Sequence, residues 1–488
     1  MHKVTVDGVD YFPKSEDSTP KIGIAVATYN RQKVLDNTLE NIIKHTPDAY
    51  IVVVDDASTT PITVPDGVDI IRQKTNGGIA KTKNRCLEAL DDAGVEHFFL
   101  FDDDAWPIVD GWWKPYVDSP EPHLMAIFDK PKGTTKTQVE VVYEDDNHVA
   151  YHATRGYMLY VHREAVKRVG GMDPDFGAWG WEHQSWSDRI HAAGLTTWRY
   201  ADVKGSGDLI YSMDQAGEIQ STATDASRRF SAGPGLELRM QSRHSDRYIE
   251  YRELEDVVLT SLLTQGPDPQ RGTKMSSSES MVKALHDSLS FTGRFVLAHT
   301  DMAHEGKLPY AEKWKVTQYG NPYFDRWVHY YQWLRDNPKA RFAWCVDATD
   351  VEMTRNPFPE MEEGILYMGY EPTTLRDEWM NAHHPDETLQ KFMKDNANLP
   401  LLNMGVVGGD RETVMEFSQR VIKFYFDDYI DFIYGWETKR VFDKISGDMA
   451  TGNYIARTFF DGRISSGPHI TNVFKSGKKS DVAWFAHK

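Results

Sequence analysis

The stretch that most constrains this chain is HFFLFDDDAWP, residues 97–107. Phe98, Phe99, Leu100 and Phe101 run straight into Asp102, Asp103 and Asp104, and Pro107 ends the extended segment. An apolar run without alternation marks a strand buried on both faces, hence a mostly parallel sheet covered by helices. Three carboxylates at the carboxyl end of such a strand stand where open α/β sheets bind their ligands. Adjacent carboxylates repel, so a bound cation is the simplest reason to keep them together. Oxygen donors suit Mg²⁺ or Mn²⁺, and such an ion naturally holds a diphosphate. The competing reading is an acidic turn after a strand.

At 488 residues the chain exceeds one ordinary core, and two or three domains are expected. Its 40% hydrophobic and 26% charged content is that of a globular protein. MHKVTVDGVDYF lacks the apolar segment of a signal peptide, and no run is long enough to span a membrane. Cys86 and Cys345 sit in unrelated segments and suggest neither a disulfide framework nor a zinc site. A cytoplasmic location is expected. With a net charge of −18 and no Lys/Arg-rich block, a non-specific DNA-binding role is disfavoured.

KIGIAVATYNR (21–31) reads as a buried strand ending in a polar turn, and VLDNTLENIIKHT as a helix with apolar residues at helical spacing. YIVVVDDAS (50–58) is a second strand ending in Asp55 and Asp56. A short strand, the turn at Gly77–Gly78 and a helix lead to the acidic strand. This alternation reads as a doubly wound, nucleotide-binding sheet.

VATYNR, VVVDDAS, NGGIAKTKNR and FLFDDDAWP, in this order, resemble a family 2-type glycosyltransferase of the GT-A fold. The resemblance implies that Thr28, Tyr29, Asn30 and Arg31 flank the nucleotide and that Asp55 or Asp56 binds uracil or ribose. It also places Asn76, Gly77 and Gly78, with Lys83 or Arg85, near the nucleotide. Asp102 and Asp104 match the acidic positions of the DxD motif around Asp103, with Asp104 the direct metal ligand and Asp102 on ribose or metal. Farther on, GAWGWEHQSWSDRIHAAGL resembles the acceptor-side motif of inverting galactosyl- and N-acetylgalactosaminyltransferases, in which Glu-Asp follows the tryptophans. An inverting transfer needs a group that takes the acceptor hydroxyl's proton. His183 stands where the second acid is usual, which leaves Glu182 or His183 as the base, with Trp181 beside the donor. A packed aromatic cluster with Glu182 as a helix cap is the bland alternative. His244, in RMQSRHSDR, resembles the histidine that completes the metal shell in those enzymes; Asp208 is a rival.

The domains are expected at 1–245 and 286–488, joined by a helix and a Ser/Gly/Pro-rich linker over 246–285. KMSSS (274–278) resembles a synthetase signature loop but has no partner HxGH motif, so that reading fails. The second half has its own αβ alternation and an acidic strand end, RFAWCVDATD, and is read as a second GT-A-like domain. Its motif order is similar to family 8-type retaining enzymes. That resemblance implies a metal set of Asp347 or Asp350 with His469, and donor contacts from Asn403, Gly405 and Lys475. Asp448…Asn453 would match the family's late Asp-Gln-Asn segment.

The expected function is a metal-dependent, bifunctional glycosyltransferase using Mn²⁺ or Mg²⁺. It would move sugars from nucleotide-sugar donors, UDP-sugars first, to a protein, glycan or modified-nucleobase acceptor. Tandem fusions of this kind resemble bacterial or phage enzymes, the latter working in the host cytoplasm. A sugar nucleotidyltransferase would carry a glycine-rich loop after its first strand, and VATYNRQKVLDNT has none. A carbohydrate-binding protein with a degenerate second domain is the alternative outside catalysis.

Overall fold

The computed structural model describes residues 4–6, 9–11, 21–127, 139–177, 179–219, 224–425, 447–476 and 478–488. The chain divides into two units, Met1–Glu253 and Leu254–Lys488. Each is a mixed α/β structure built on one large sheet, with six described strands in the first and seven in the second. Among the described residues no helix is long and apolar enough to cross a membrane.

In the first unit the strands lie in the order Asp69–Arg72, Tyr50–Asp55, Ile22–Thr28, His97–Asp102, Met158–His162, His123–Met125. The first four are parallel, and Met158–His162 is antiparallel to both its neighbours. The chain builds outward from Ile22–Thr28, then returns through the helix Gly78–Asp92 to lay His97–Asp102 on the other side. The order therefore reverses between these two strands, and a crevice opens at their carboxyl ends. The acidic strand is buried on both faces, as its composition implies. Phe98 and Leu100 pack with Leu87 and Leu90, whereas Phe99 and Phe101 pack with Leu35, Leu39 and Trp112. Full burial of each such side chain contributes about 1.5–3 kcal/mol.

The second sheet runs Ala311–Lys315, Gly293–His299, Glu255–Leu262, Ala340–Asp347, Pro400–Asp410, Leu366–Thr374, Ile464–Ser466. The expected helix after residue 246 is instead the interior strand Glu255–Leu262, parallel to both neighbours. Val257 and Leu259 enter one core while Val258 and Leu262 enter the other, a strand's alternation between faces. Val257, Val258 and Thr260 are also β-branched and stiff at χ1, which favours the pleated surface. The rest of the expected linker includes the helix Lys283–Ser288.

Candidate functional site

The strand Ile22–Thr28 ends in a turn pinned from the neighbouring loop. Asn30 adopts φ 56°, a left-handed conformation that asparagine tolerates better than most residues. Its backbone N–H donates to Ser58 Oγ at 2.8 Å, and its side-chain oxygen accepts from Thr59 N at 2.7 Å. Asp55 sits beneath this turn, fully buried, accepting from Ser58 N at 2.9 Å and Arg72 at 2.5 Å. Its role is to hold the turn, and it does not line the cavity beside it. Asp56 does line it, and accepts from the backbone N–H groups of Gly77 (2.7 Å) and Gly78 (3.0 Å) at the start of the helix Gly78–Asp92. A carboxylate there is favoured by the helix dipole.

The pinned turn aims Arg31 at the acidic motif. Arg31 meets Asp103 Oδ1 at 2.8 Å and Asp104 Oδ2 at 3.0 Å, and Lys83 meets Asp102 Oδ1 at 2.8 Å. Thr28 Oγ1 donates to Asp103 Oδ2 at 2.8 Å, and Thr38 Oγ1 to the Asp103 carbonyl at 2.6 Å. Burial pushes Asp103 up to about 7, against the pull of Arg31. Burial and the neighbouring Asp102 push Asp104 up to about 6. This crowding of negative charge, on oxygen donors open to a cavity, fits a divalent cation. Asp102 and Asp104 would hold it, with the remaining positions left to water and a donor diphosphate.

The same cavity, of about 760 Å³, is lined by the start of the helix Glu182–Ala192. Glu182 and His183 both line the cavity, with His183 Nδ1 3.1 Å from Glu182 Oε1. Burial would raise the Glu182 carboxyl, but His183 and the backbone N–H groups at Gly180 and Glu182 outweigh it and hold the pKa below its ordinary value. Its other oxygen, Oε2, is buried without a hydrogen-bond partner. The result is an ionised carboxylate with one oxygen left over to accept a proton. A side chain at Gly156 would collide with the His183 ring, its Cβ 2.9 Å from Nδ1, so the bare glycine admits the imidazole. Because His183 holds Glu182 ionised, His183→Gln should let burial dominate and raise the pKa of Glu182. The acid limb of the pH–rate profile should then move to higher pH, with activity at pH 6 falling more than at pH 8.

In the second unit Asp347, Asp350 and His487 bring one ligand atom each within 4.8 Å of one another. His487 Nε2 lies 3.7 Å from Asp347 Oδ2 and 3.8 Å from Asp350 Oδ2, too far for good hydrogen bonds and wide enough for an ion between them. The other Asp347 oxygen is held by Arg326, which also pairs with Asp448 at 2.8 Å. Asp350 Oδ1 is buried without a partner, and burial together with Asp347 pushes this carboxyl up to about 7. Two carboxylates and an imidazole suit Mn²⁺. Gly405 makes the approach possible, since a Cβ there would lie 2.3 Å from His487 Cε1 and 2.5 Å from Asp347 Oδ2. Gly405→Ala should therefore abolish Mn²⁺ binding by this centre while leaving that of the first unit intact, as read by calorimetry on the full chain.

Comparison with known proteins bears on the first unit. Residues 23–128 match the family described as Glycosyl transferase family 2. The N-terminal unit carries a glycosyltransferase family 2 domain. No curated protein matches the chain in sequence. Among solved structures, a mannosyltransferase from Pyrobaculum calidifontis in complex with GDP-Man and Mn²⁺ is similar at 20% identity and TM-score 0.28, over 38% of this chain and 57% of that one. GalNAc-T7 with UDP, GalNAc and Mn²⁺ is similar at 14% and 0.34, over 48% and 56%. S. aureus TarS is similar at 15% and 0.31, over 46% and 43%. Likeness at this level says nothing of substrate.

The family 2 domain and the segment after it bring most of the expected residues into one cavity. Thr28, Tyr29, Asn30, Arg31, Asp56, Asn76, Gly78, Lys83, Asp102, Asp103, Asp104, Glu182 and His183 line it. Five do not. Asp55 braces the turn, and Gly77 contributes its N–H to Asp56. Arg85 pairs with Glu88 and, at 3.7 Å, Glu253. Trp181 donates to the Ser231 carbonyl at 2.6 Å under the Arg239 guanidinium, and Trp179 lines the cavity in its place. His244 lies on an exposed turn and does not line the cavity, whereas Asp214 lines it and acts on Asp104. Asp208, the rival, does not line the cavity either. Arg155, Gly156, Asp214, Gln215 and Arg228 line the cavity without having been expected. Asp214 arrives because Ile210–Ser212 pairs with Ala105–Pro107, a long-range contact with no local signal.

In the second unit His469 is not in the candidate cluster of Asp347, Asp350 and His487; its Nε2 meets Ser465 Oγ at 3.0 Å and its ring packs on Trp484. His487 replaces it, because Phe485–His487 pairs antiparallel with Val351–Met353 just after Asp350. Asn403 is buried between Glu371 and the Gly405 N–H, where it shapes the backbone beside the centre. Lys475 adopts φ 60° and donates its N–H to the His487 carbonyl at 3.4 Å. Asn453 bonds the Leu402 backbone at both ends of its amide, a structural tie.

Proposed function

We propose that the N-terminal unit is an inverting glycosyltransferase that moves a sugar from a nucleotide-sugar donor, UDP-sugars first, to an acceptor hydroxyl. The observation that carries this reading is one cavity at the sheet's reversal point lined by both the three-aspartate strand end and Glu182. The nucleoside would lie along Thr28–Arg31, Asp56 and Asn76, its diphosphate toward Asp102 and Asp104. A divalent ion there would neutralise charge developing on the leaving diphosphate. Glu182, ionised and with one free oxygen, takes the acceptor proton as the hydroxyl attacks, and His183 steadies the carboxylate. The C-terminal unit, with Asp347, Asp350 and His487, is read as a second, retaining transferase domain. The charge of −18 favours a protein or glycan acceptor over a modified nucleobase.

The test is a panel of UDP- and GDP-sugars with Mn²⁺, with and without EDTA, scored by released nucleotide. Wild type is compared with Asp104→Ala and Asp350→Ala. Turnover lost separately in the two variants, on different donors, supports two active sites. Loss in Asp104→Ala alone reduces the second unit to an accessory role. Nucleotide binding without turnover on any donor, even with acceptors supplied, would replace catalysis by a binding function.

A further inference from the structure

We infer that Arg31 is a tethered counter-cation that occupies the acidic motif until a metal–nucleoside diphosphate pair arrives, and then passes from the carboxylates to the diphosphate. This rests on the reading of the first unit as a nucleotide-sugar site, and adds an exchange of partners to it.

The charges at the motif favour such an exchange. Asp102, Asp103 and Asp104 stand in consecutive positions, and two cations already stand on them. Lys83 is buried on the helix Gly78–Asp92 and fixed on Asp102. Arg31 spans Asp103 and Asp104 with its two terminal nitrogens. A divalent ion joining Asp102 and Asp104 would place two further positive charges beside Arg31 and Lys83. Like charges held close together in a partly buried site repel strongly, and the ion carries two. Metal alone is therefore opposed by Arg31. A nucleoside diphosphate restores the balance and offers the planar guanidinium a phosphate in place of a carboxylate.

The geometry lets Arg31 leave without unravelling the motif. Its backbone is anchored through Asn30, Ser58 and Thr59, while its side chain is about one-fifth exposed and lines the cavity. Asp103, which would lose its ion pair, keeps Thr28 Oγ1 on its carboxylate and Thr38 on its carbonyl. Asp104 is freed to face the cavity. Lys83, by contrast, is held inside the unit and is not the moving part.

The test uses calorimetric titration of the full chain carrying Asp350→Asn to silence the second centre. Mn²⁺ is titrated with and without saturating UDP, and UDP with and without Mn²⁺. In the Arg31→Met variant Mn²⁺ alone should bind about tenfold tighter, UDP in the presence of Mn²⁺ about tenfold weaker, and the coupling between them should fall in both directions, as linkage requires. Arg31→Lys keeps the charge but cannot span both carboxylates, so it should shift Mn²⁺ affinity the same way by a smaller factor. It also decides the matter if Arg31→Met fails to fold, as judged by circular dichroism. Mn²⁺ binding alone to Arg31→Lys and Arg31→Met that is no tighter than to the parent overturns the exchange while leaving the nucleotide site standing. Absence of UDP and GDP binding to the parent, with Mn²⁺ present, overturns both.

Discussion

Asp104→Ala is expected to lower metal-dependent sugar transfer by the N-terminal unit on the order of 10³-fold, the scale of removing a group that stabilises developing charge. The loss should appear in kcat/KM for the donor and should not be restored by excess acceptor. The fold should survive. Arg31 keeps Asp103 at 2.8 Å, and Thr28 and Thr38 still hold that residue, so the thermal midpoint should move by only a few degrees. Transfer that persists at a tenth of wild type or more, with the second unit silenced by Asp350→Ala, would remove Asp104 from the metal site.

Glu182→Gln is expected to be nearly as damaging for a different reason. Glutamine keeps the size and one acceptor oxygen but cannot take a proton, and general bases contribute about 10²–10⁴-fold. Here kcat should fall while UDP and Mn²⁺ affinity stay unchanged, because Glu182 pairs with His183 and with none of the three aspartates. The companion variant His183→Gln separates the two candidates. If Glu182→Gln keeps most of its rate and His183→Gln loses it at every pH, the imidazole is the base and the carboxylate orients it.

The strand-end part of the cavity was legible in the sequence because its information is local. Strand ends announce themselves by apolar runs that stop at polar residues, and Thr28, Asp56 and Asp102–Asp104 all lie at such ends. What local pattern could not distinguish was which polar residue braces and which faces the ligand. Asp55 and Asp56 are adjacent in sequence, yet one is fully buried under Arg72 and the other opens on the cavity. Where the structure separates residues expected together, the cause is shared. His469 and His487 look alike as ligands by composition, and the pairing of Phe485–His487 with Val351–Met353 brings the second beside Asp347 and Asp350. His244 and Asp214 are separated in the same way by the pairing of Ile210–Ser212 with Ala105–Pro107. The strand Glu255–Leu262 was masked by the charged residues before it, which blurred an alternation visible only once both faces were known to be covered.

The lining of the first cavity comes from separate stretches of chain. Residues 23–128, the family-matched part, supply the acidic motif and the pinned turn, whereas Thr154–Tyr157, Trp179, Glu182, His183, Asp214, Gln215 and Arg228 supply the remainder of the lining. Inheritance and engineering can then treat them as separable. On the proposed function, a lineage could keep its nucleotide chemistry while drift, or a deliberate graft, rewrites the later stretches and so retargets the enzyme to a new hydroxyl.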